Sequence, residues 1–360
     1  MTPLARIIAR RIRATGPISL ADYMETCLLH PRHGYYATRD PFGKAGDFTT
    51  APEISQIFGE LCGLALTQAW QDQGSPSPFT LAEPGPGRGT LMADMLRAMR
   101  AAPGMAEAAR VALIEASPHL RGVQRDRLGS VTHLDRVEDL PHKPLFLMAN
   151  EFFDALPIRQ FQRVEAGWAE RMVGLGPDGL RLGLGAAIDL PRAGRPGDII
   201  EDRPAAASIM AVIAGRIAAH GGAAIIVDYG GWNGFGDSFQ ALRGHEPVDP
   251  LTSPGEADLT AHVDFAPLAV AAMAAGAVVS RPVHQGEWLM ALGAGARARR
   301  LAEAGDEGAM AALRRLTHAE EMGHLFKAMA VWPRGAPPVP GFDPLRRDAD
   351  NARDSDPSFA

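Results

Sequence analysis

Phe79-Thr80-Leu81-Ala82-Glu83-Pro84-Gly85-Pro86-Gly87-Arg88-Gly89-Thr90 is the stretch on which the fold turns. Its first four residues read as a short buried strand that ends in an acid and a glycine turn. Leu91, Met92, Met95, Leu96 and Met99 follow at helical spacing, so the unit is strand, loop and helix. Val111-Ala112-Leu113-Ile114 repeats it, ending in Glu115, with Ser117-Pro118 as N-cap and first residue of a helix through Leu120, Val123 and Leu128. Val131 to Leu134 is a third strand, and Leu145-Phe146-Leu147-Met148-Ala149 is a continuous apolar run of the kind expected where both faces are covered. Ala223 to Val227, ending at Asp228, then Val278-Val279-Ser280 and Phe326 to Val331, extend the series. Strands alternating with helices predict an α/β fold with a parallel sheet and ligands at the carboxyl ends of its strands.

Outward from this body the texture changes. From Pro157 to about Pro191, short alternating stretches such as Arg159 to Val164, Trp168 to Val173 and Leu180 to Leu184 are punctuated by Gly167 and Asp178-Gly179. They predict an inserted antiparallel meander. A second insertion, rich in turns, runs from Gly230 to about Thr260. At the N-terminus Leu4, Ile7, Ile8 and Ile12 fall at helical spacing among arginines; an organelle transit peptide has the same look, but the expected reading is an amphipathic helix packed on the body. The tail Pro344 to Ala360 is polar and reads as disordered.

Composition narrows the class. A net charge of −6 over 360 residues excludes a generally basic nucleic-acid binder. Cys27 and Cys62 are too few for a disulfide framework, which points to a reducing compartment. No window reaches the eighteen or so apolar residues of a membrane span, so a soluble protein is expected. Only Lys44, Lys143 and Lys327 among the 36 basic residues are lysine, a coding bias that strips arginine counts of functional weight.

The glycine loop carries the chemistry. Glycines at a strand-to-helix turn let backbone approach a ligand, and the helix start offers N–H donors. The spacing is G-x-G-x-G, whereas a dinucleotide fingerprint needs a third glycine where Thr90 stands. There is no P-loop lysine either. Glu83 before the loop and Glu115 after the next strand suit a ligand with a cationic amino-acid part and a ribose, which describes S-adenosylmethionine. A loop that merely packs helix on strand, or a nicotinamide or flavin site, are the alternatives. A metal site has little support: the histidines and the two cysteines lack ligand spacing.

Further motifs extend the picture: Gly46-Asp47-Phe48-Thr49-Thr50-Ala51-Pro52-Glu53-Ile54-Ser55, Asn150-Glu151-Phe152-Phe153-Asp154-Ala155-Leu156-Pro157, Asp228-Tyr229-Gly230, Arg243-Gly244-His245, Gly255 to Phe265, Gln285-Gly286-Glu287 and Met322 to Lys327. Together with the glycine loop they resemble the MidA family of class I methyltransferases over residues 15 to 333. The mitochondrial member of that family is an arginine methyltransferase that assists assembly of respiratory complex I. The resemblance implies a Rossmann-like seven-stranded sheet and methyl transfer from S-adenosylmethionine to a protein arginine, with symmetric dimethylation. It implies a cofactor site of Asp47, Phe48, Glu83, Gly85, Gly87, Gly89, Thr90, Glu115, Ala116, Asn150 and Glu151. The expected division is a helical leader with a cofactor-closing loop over 1–75, a methyltransferase domain over 76–333 with insertions at 157–203 and 230–262, and the tail at 344–360. A bacterial cytoplasmic protein acting on a complex I subunit is the expectation; the oligomeric state stays open, a homodimer included.

For the transfer itself, Glu151 and Asp154 are the candidates to clamp a guanidinium, with capping of the turn after Asn150 as the other role for Asp154. Phe152 and Phe153 either stack on the substrate or enter the core. His262 either accepts the departing proton or anchors the helix starting near Asp264. Competing functions are a methyltransferase for a small molecule or another side chain, and a non-catalytic assembly factor.

Overall fold

The computed structural model describes residues 2–38 and 49–345. By internal contacts the chain forms two compact units: Met1–Phe48, Asp154–Ala206 and Asn233–His262 make one, and Thr49–Phe153, Ala207–Trp232 and Val263–Ala360 the other.

The larger unit holds the sheet. Its strands are β1 (Phe79–Pro84), β2 (Ala109–Ile114), β3 (Thr132–Leu134), β4 (Leu145–Asn150), β5 (Gly222–Gly231), β6 (Val278–Val279) and β7 (Phe326–Trp332). They are hydrogen-bonded in the order β3-β2-β1-β4-β5-β7-β6. β1 to β5 run parallel, while β7 is antiparallel to β5 and β6. Two short strands, Val263–Asp264 beside the end of β5 and Val283–His284 beside β7, bring the sheet to nine. Seven strands lie on one continuous path, with two additions beside it. All residues of β1, β4 and β7 are buried, the signature of strands covered on both faces. The direction of winding reverses between β1 and β4, and a ligand crevice belongs outside the carboxyl ends of those two strands.

Two helices hold the β1 side at backbone distance. Gly59 and Gly63 face the helix Thr90–Met99 from the helix Gln56–Asp72: a Cβ on Gly59 would stand 2.5 Å from Asp94 Cβ, and one on Gly63 2.8 Å from Met95 Cα. Main chain cannot yield as a side-chain tip does. Gly63→Ala is expected to lose about 1–3 kcal/mol through overpacking, although alanine is the better helix former by about 1 kcal/mol. A urea midpoint at or above wild type would contradict this packing. Beside these glycines, Glu60 receives both Arg97 at 3.1 Å and Arg297 at 2.6 Å.

In the other unit, Arg159–Val164, Gly167–Gly176 and Gly179–Ile188 form the expected antiparallel meander. Ile199–Asp202 adds to one side of it, and Ile18–Ser19 pairs with Met172 and Val173. Neither strand is foreseen from the sequence. The helix Pro3–Thr15 buries Leu4, Ile8 and Ile12 in the same core as Tyr23, Ile158, Val173 and Leu259, so the amphipathic-helix reading holds. Its cap, Thr2, accepts from the Ala5 N–H and donates to the Pro254 carbonyl at 3.0 Å. The segment 230–260 carries a small sheet, Gln240–Arg243, Glu246–Val248 and Asp258–Thr260. Among the described residues no helix is long and apolar enough to cross a membrane.

Candidate active site

The loop after β1 turns on left-handed backbone: φ is +63° at Gly85, +51° at Gly87 and +75° at Gly89. Residues with a Cβ rarely adopt such values. Gly89 occupies the N-cap of the helix Thr90–Met99 with no side-chain cap, so the helix presents backbone donors at the loop. Glu83, only 3% exposed, reaches from the strand to accept the Met92 N–H of this first turn. Its Oε2 is buried without a hydrogen-bond partner. Burial chiefly, with a smaller contribution from the Glu115 charge, pushes the Glu83 carboxyl up to about 8.

Glu115 lies one residue beyond β2. One oxygen accepts the Ser117 N–H at 2.8 Å and the other the Gln124 side-chain amide at 3.1 Å. Burial raises its pKa, and these bonds oppose the rise. Gln124 is fully buried and joins three elements: it donates to the Gly87 carbonyl at 2.6 Å and to Glu115, and its Oε1 meets His133 Nε2 at 2.8 Å. It thereby fixes the glycine loop against the β2 terminus. Its place one turn from Leu120 on the buried face of a helix marks Gln124 as buried, but nothing local in the sequence names its partners. Ala116 is exposed. The Thr90 hydroxyl donates to Glu53 Oε1 at 2.5 Å and accepts from Arg127, so what Thr90 offers a ligand is its backbone N–H.

At the end of β4, Asn150 donates its side-chain amide to Glu151 Oε1 at 3.1 Å, and Asn150 Oδ1 is buried without a hydrogen-bond partner. Glu151 has φ +50°, a left-handed conformation that a non-glycine residue adopts at a cost. Two grips hold it. The Glu151 N–H donates to the Val227 carbonyl at 2.9 Å, and Asp228, completely buried, accepts the Phe153 N–H and the Tyr229 N–H, each at 3.0 Å. Asp228 is thus the anchor of the turn. Phe153 is core, whereas the Phe152 ring stands over the glycine loop, 3.2 Å from where a Cβ on Gly85 would be.

The other unit holds the remaining candidates. Asp154 is buried beside Tyr36 and Asp258, whose charges help raise the tyrosine pKa, after burial itself. Tyr36 donates to Asp258 at 2.8 Å. Arg203 collects the carbonyls of Asp154, Leu156, Ala261 and His262, tying the two segments together. His262 is exposed and its backbone N–H donates to Ser238. The helix Phe265–Ala274 is capped by Asp264 itself. Arg243 pairs with Glu256 at 3.5 Å, and Gly244 and His245 make a left-handed hairpin turn. Asp47 and Phe48 lie outside the described residues. Among those described, no group of His, Cys, Asp or Glu is arranged to hold a metal.

A reversing sheet with a left-handed glycine loop after β1, an acid at the end of β2 and polar groups at the end of β4 defines a class I methyltransferase. Residues 61–283 match the model of a family of S-adenosyl-L-methionine-dependent methyltransferases, and the chain belongs to that family. It is 35% identical to the mitochondrial protein arginine methyltransferase NDUFAF7 of Xenopus tropicalis, covering 93% of this chain and 88% of that one. Against the human NDUFAF7 the figures are 35%, 92% and 84%. Among solved structures, a COG1565 superfamily member from Burkholderia thailandensis bound to S-adenosyl-homocysteine superposes with a TM-score of 0.81 at 27% identity, over 94% of this chain and 93% of that one.

S-adenosylmethionine is the cofactor, and the residues present fit it. The glycines leave room for close approach, and the orphaned Glu83 Oε2 and Asn150 Oδ1 are acceptors awaiting donors. Glu115 retains acceptor capacity for hydroxyls.

Proposed function

We propose that the methyl acceptor is an arginine side chain of a protein. The observation that carries this reading is Glu151, held by its neighbours in a left-handed conformation at the carboxyl end of β4. The relatives named as protein arginine methyltransferases support it.

The bound cofactor supplies an electrophilic methyl on a sulfonium. The protein must do the rest. A guanidinium is a poor nucleophile because its lone pair is delocalised and its pKa lies above about 12. The Glu151 carboxylate draws positive charge toward the nitrogens it touches, leaving the attacking nitrogen richer in electron density and aligned. Asp154, three residues on in the sequence, supplies the second carboxylate. Oriented intramolecular attack of this kind is worth up to about 7–11 kcal/mol. Asn150 and Phe152 confine the reacting side chain, and His262 receives the proton that the methylated nitrogen gives up. Cofactor contacts come from Glu83, Gly85, Gly87, Gly89, Thr90, Glu115, Ala116 and Asn150, completed by Asp47 and Phe48 from the leader.

By its resemblance to the MidA family we assign symmetric dimethylation, a complex I subunit as client, and a cytoplasmic bacterial setting, in keeping with two buried free cysteines. Mass spectrometry of complex I subunits from cells with and without this protein tests the reading. A dimethylated arginine present only with the protein is expected; an unchanged methylation pattern counts against the client.

A further inference from the structure

We infer that Glu83 binds the cofactor by exchanging a proton for a cation: its carboxyl is neutral in the free protein and ionises as it takes up the cofactor's α-ammonium. The geometry is that of a carboxyl with half of its hydrogen bonding supplied. One backbone donor, Met92 N–H, reaches it from the helix Thr90–Met99, and Oε2 is buried without a partner. The titratable groups that face it are Glu115, an acid, and Cys62, a buried thiol whose own pKa is raised by burial and then by Glu83. Neither brings positive charge. No ion pair to Glu83 exists among the described residues.

An ionised carboxylate so placed lacks a counter-charge, and the neutral acid is the stable form until a cation arrives. An amino-acid ammonium supplies both the charge and the donor that Oε2 lacks. The proton leaves Glu83 for solvent, so the charge of the site is conserved. The sign follows: where the free protein holds this proton and the complex does not, affinity rises with pH, by up to tenfold per unit, and levels off above the free-state value near 8.

The test uses the intact protein with S-adenosyl-homocysteine, whose ammonium stays protonated at pH 7. Calorimetric titration in buffers of different ionisation enthalpy is expected to show close to one proton released per ligand at pH 6.5–7, falling to about half at pH 8. Glu83→Gln is expected to bind with no proton release and a flat pH profile. No release from the wild-type protein overturns the inference, and that measurement stands even if the variant fails to fold. Equal release from a folded Glu83→Gln variant assigns the proton to another group and overturns it as well.

Discussion

Glu151→Gln is expected to lower the single-turnover rate of methyl transfer by about 10²–10³-fold, the range for removing one electrostatic stabiliser of a transition state. The substitution is isosteric. Glutamine can keep the carbonyl oxygen that accepts from Asn150, and the backbone bond to Val227 does not involve the side chain. The turn is also pinned from outside by Asp228 through Phe153. The change therefore removes charge and leaves geometry. If Glu151 localises positive charge on the acceptor, the loss falls on the chemical step, and affinity for S-adenosylmethionine moves by no more than about threefold. A rate within a factor of three of wild type at saturating cofactor would falsify the clamp. A large loss of cofactor affinity with an unchanged rate would reassign Glu151 to cofactor binding alone.

The chemistry was legible in sequence where it rests on local order. The run Phe79 to Ala82, the acid, the glycines and the helical spacing after Thr90 announce one strand, loop and helix, which are β1, the left-handed loop and the helix Thr90–Met99. Leu145 to Ala149 announced a doubly covered strand because every residue is apolar, and β4 is buried throughout. Period-two patterning gave the meander. Ile18–Ser19 could not be found this way, since two residues have no period and owe their strand conformation to Met172 and Val173. Ile199–Asp202 likewise follows a Gly/Pro-rich stretch and is defined by its pairing with residues 159–162.

What the sequence concealed is the set of polar side chains that work across distance. Gln124 reaches the Gly87 carbonyl 37 positions away, and Asp228 holds Phe153 from 75 positions away. Arg203 gathers carbonyls from two remote segments. None of these has a local motif, because its partners are fixed only when the strands take their order. The Asp228 carboxylate accepts two backbone N–H groups that fix the turn carrying Glu151. The strain at Glu151 was equally invisible, because a glutamate in sequence gives no sign of a φ of +50°.

Glu115→Ala is expected to do to affinity what Glu151→Gln does to rate. An ionised carboxylate offers about four acceptor positions. Ser117 N–H and the Gln124 amide engage one oxygen each, with the Ala116 N–H alongside, and the acceptor capacity left over serves vicinal hydroxyls such as those of a ribose. Two hydrogen bonds to a charged acceptor contribute about 1.5–3 kcal/mol apiece, so their removal weakens S-adenosylmethionine binding by about 10²–10⁴-fold. The variant also releases Gln124, and with it the bond that steadies the Gly87 carbonyl, which adds to the loss. Glu115→Gln is no gentle substitute: its amide would direct hydrogens at Ser117 N–H or at the Gln124 amide, both donors. Calorimetry should show the weakened binding, and the transfer rate at saturating cofactor should stay within about fivefold of wild type, since no part of Glu115 meets the acceptor. An affinity within threefold of wild type would remove the ribose from Glu115 and place the nucleoside elsewhere along the carboxyl edge of the sheet.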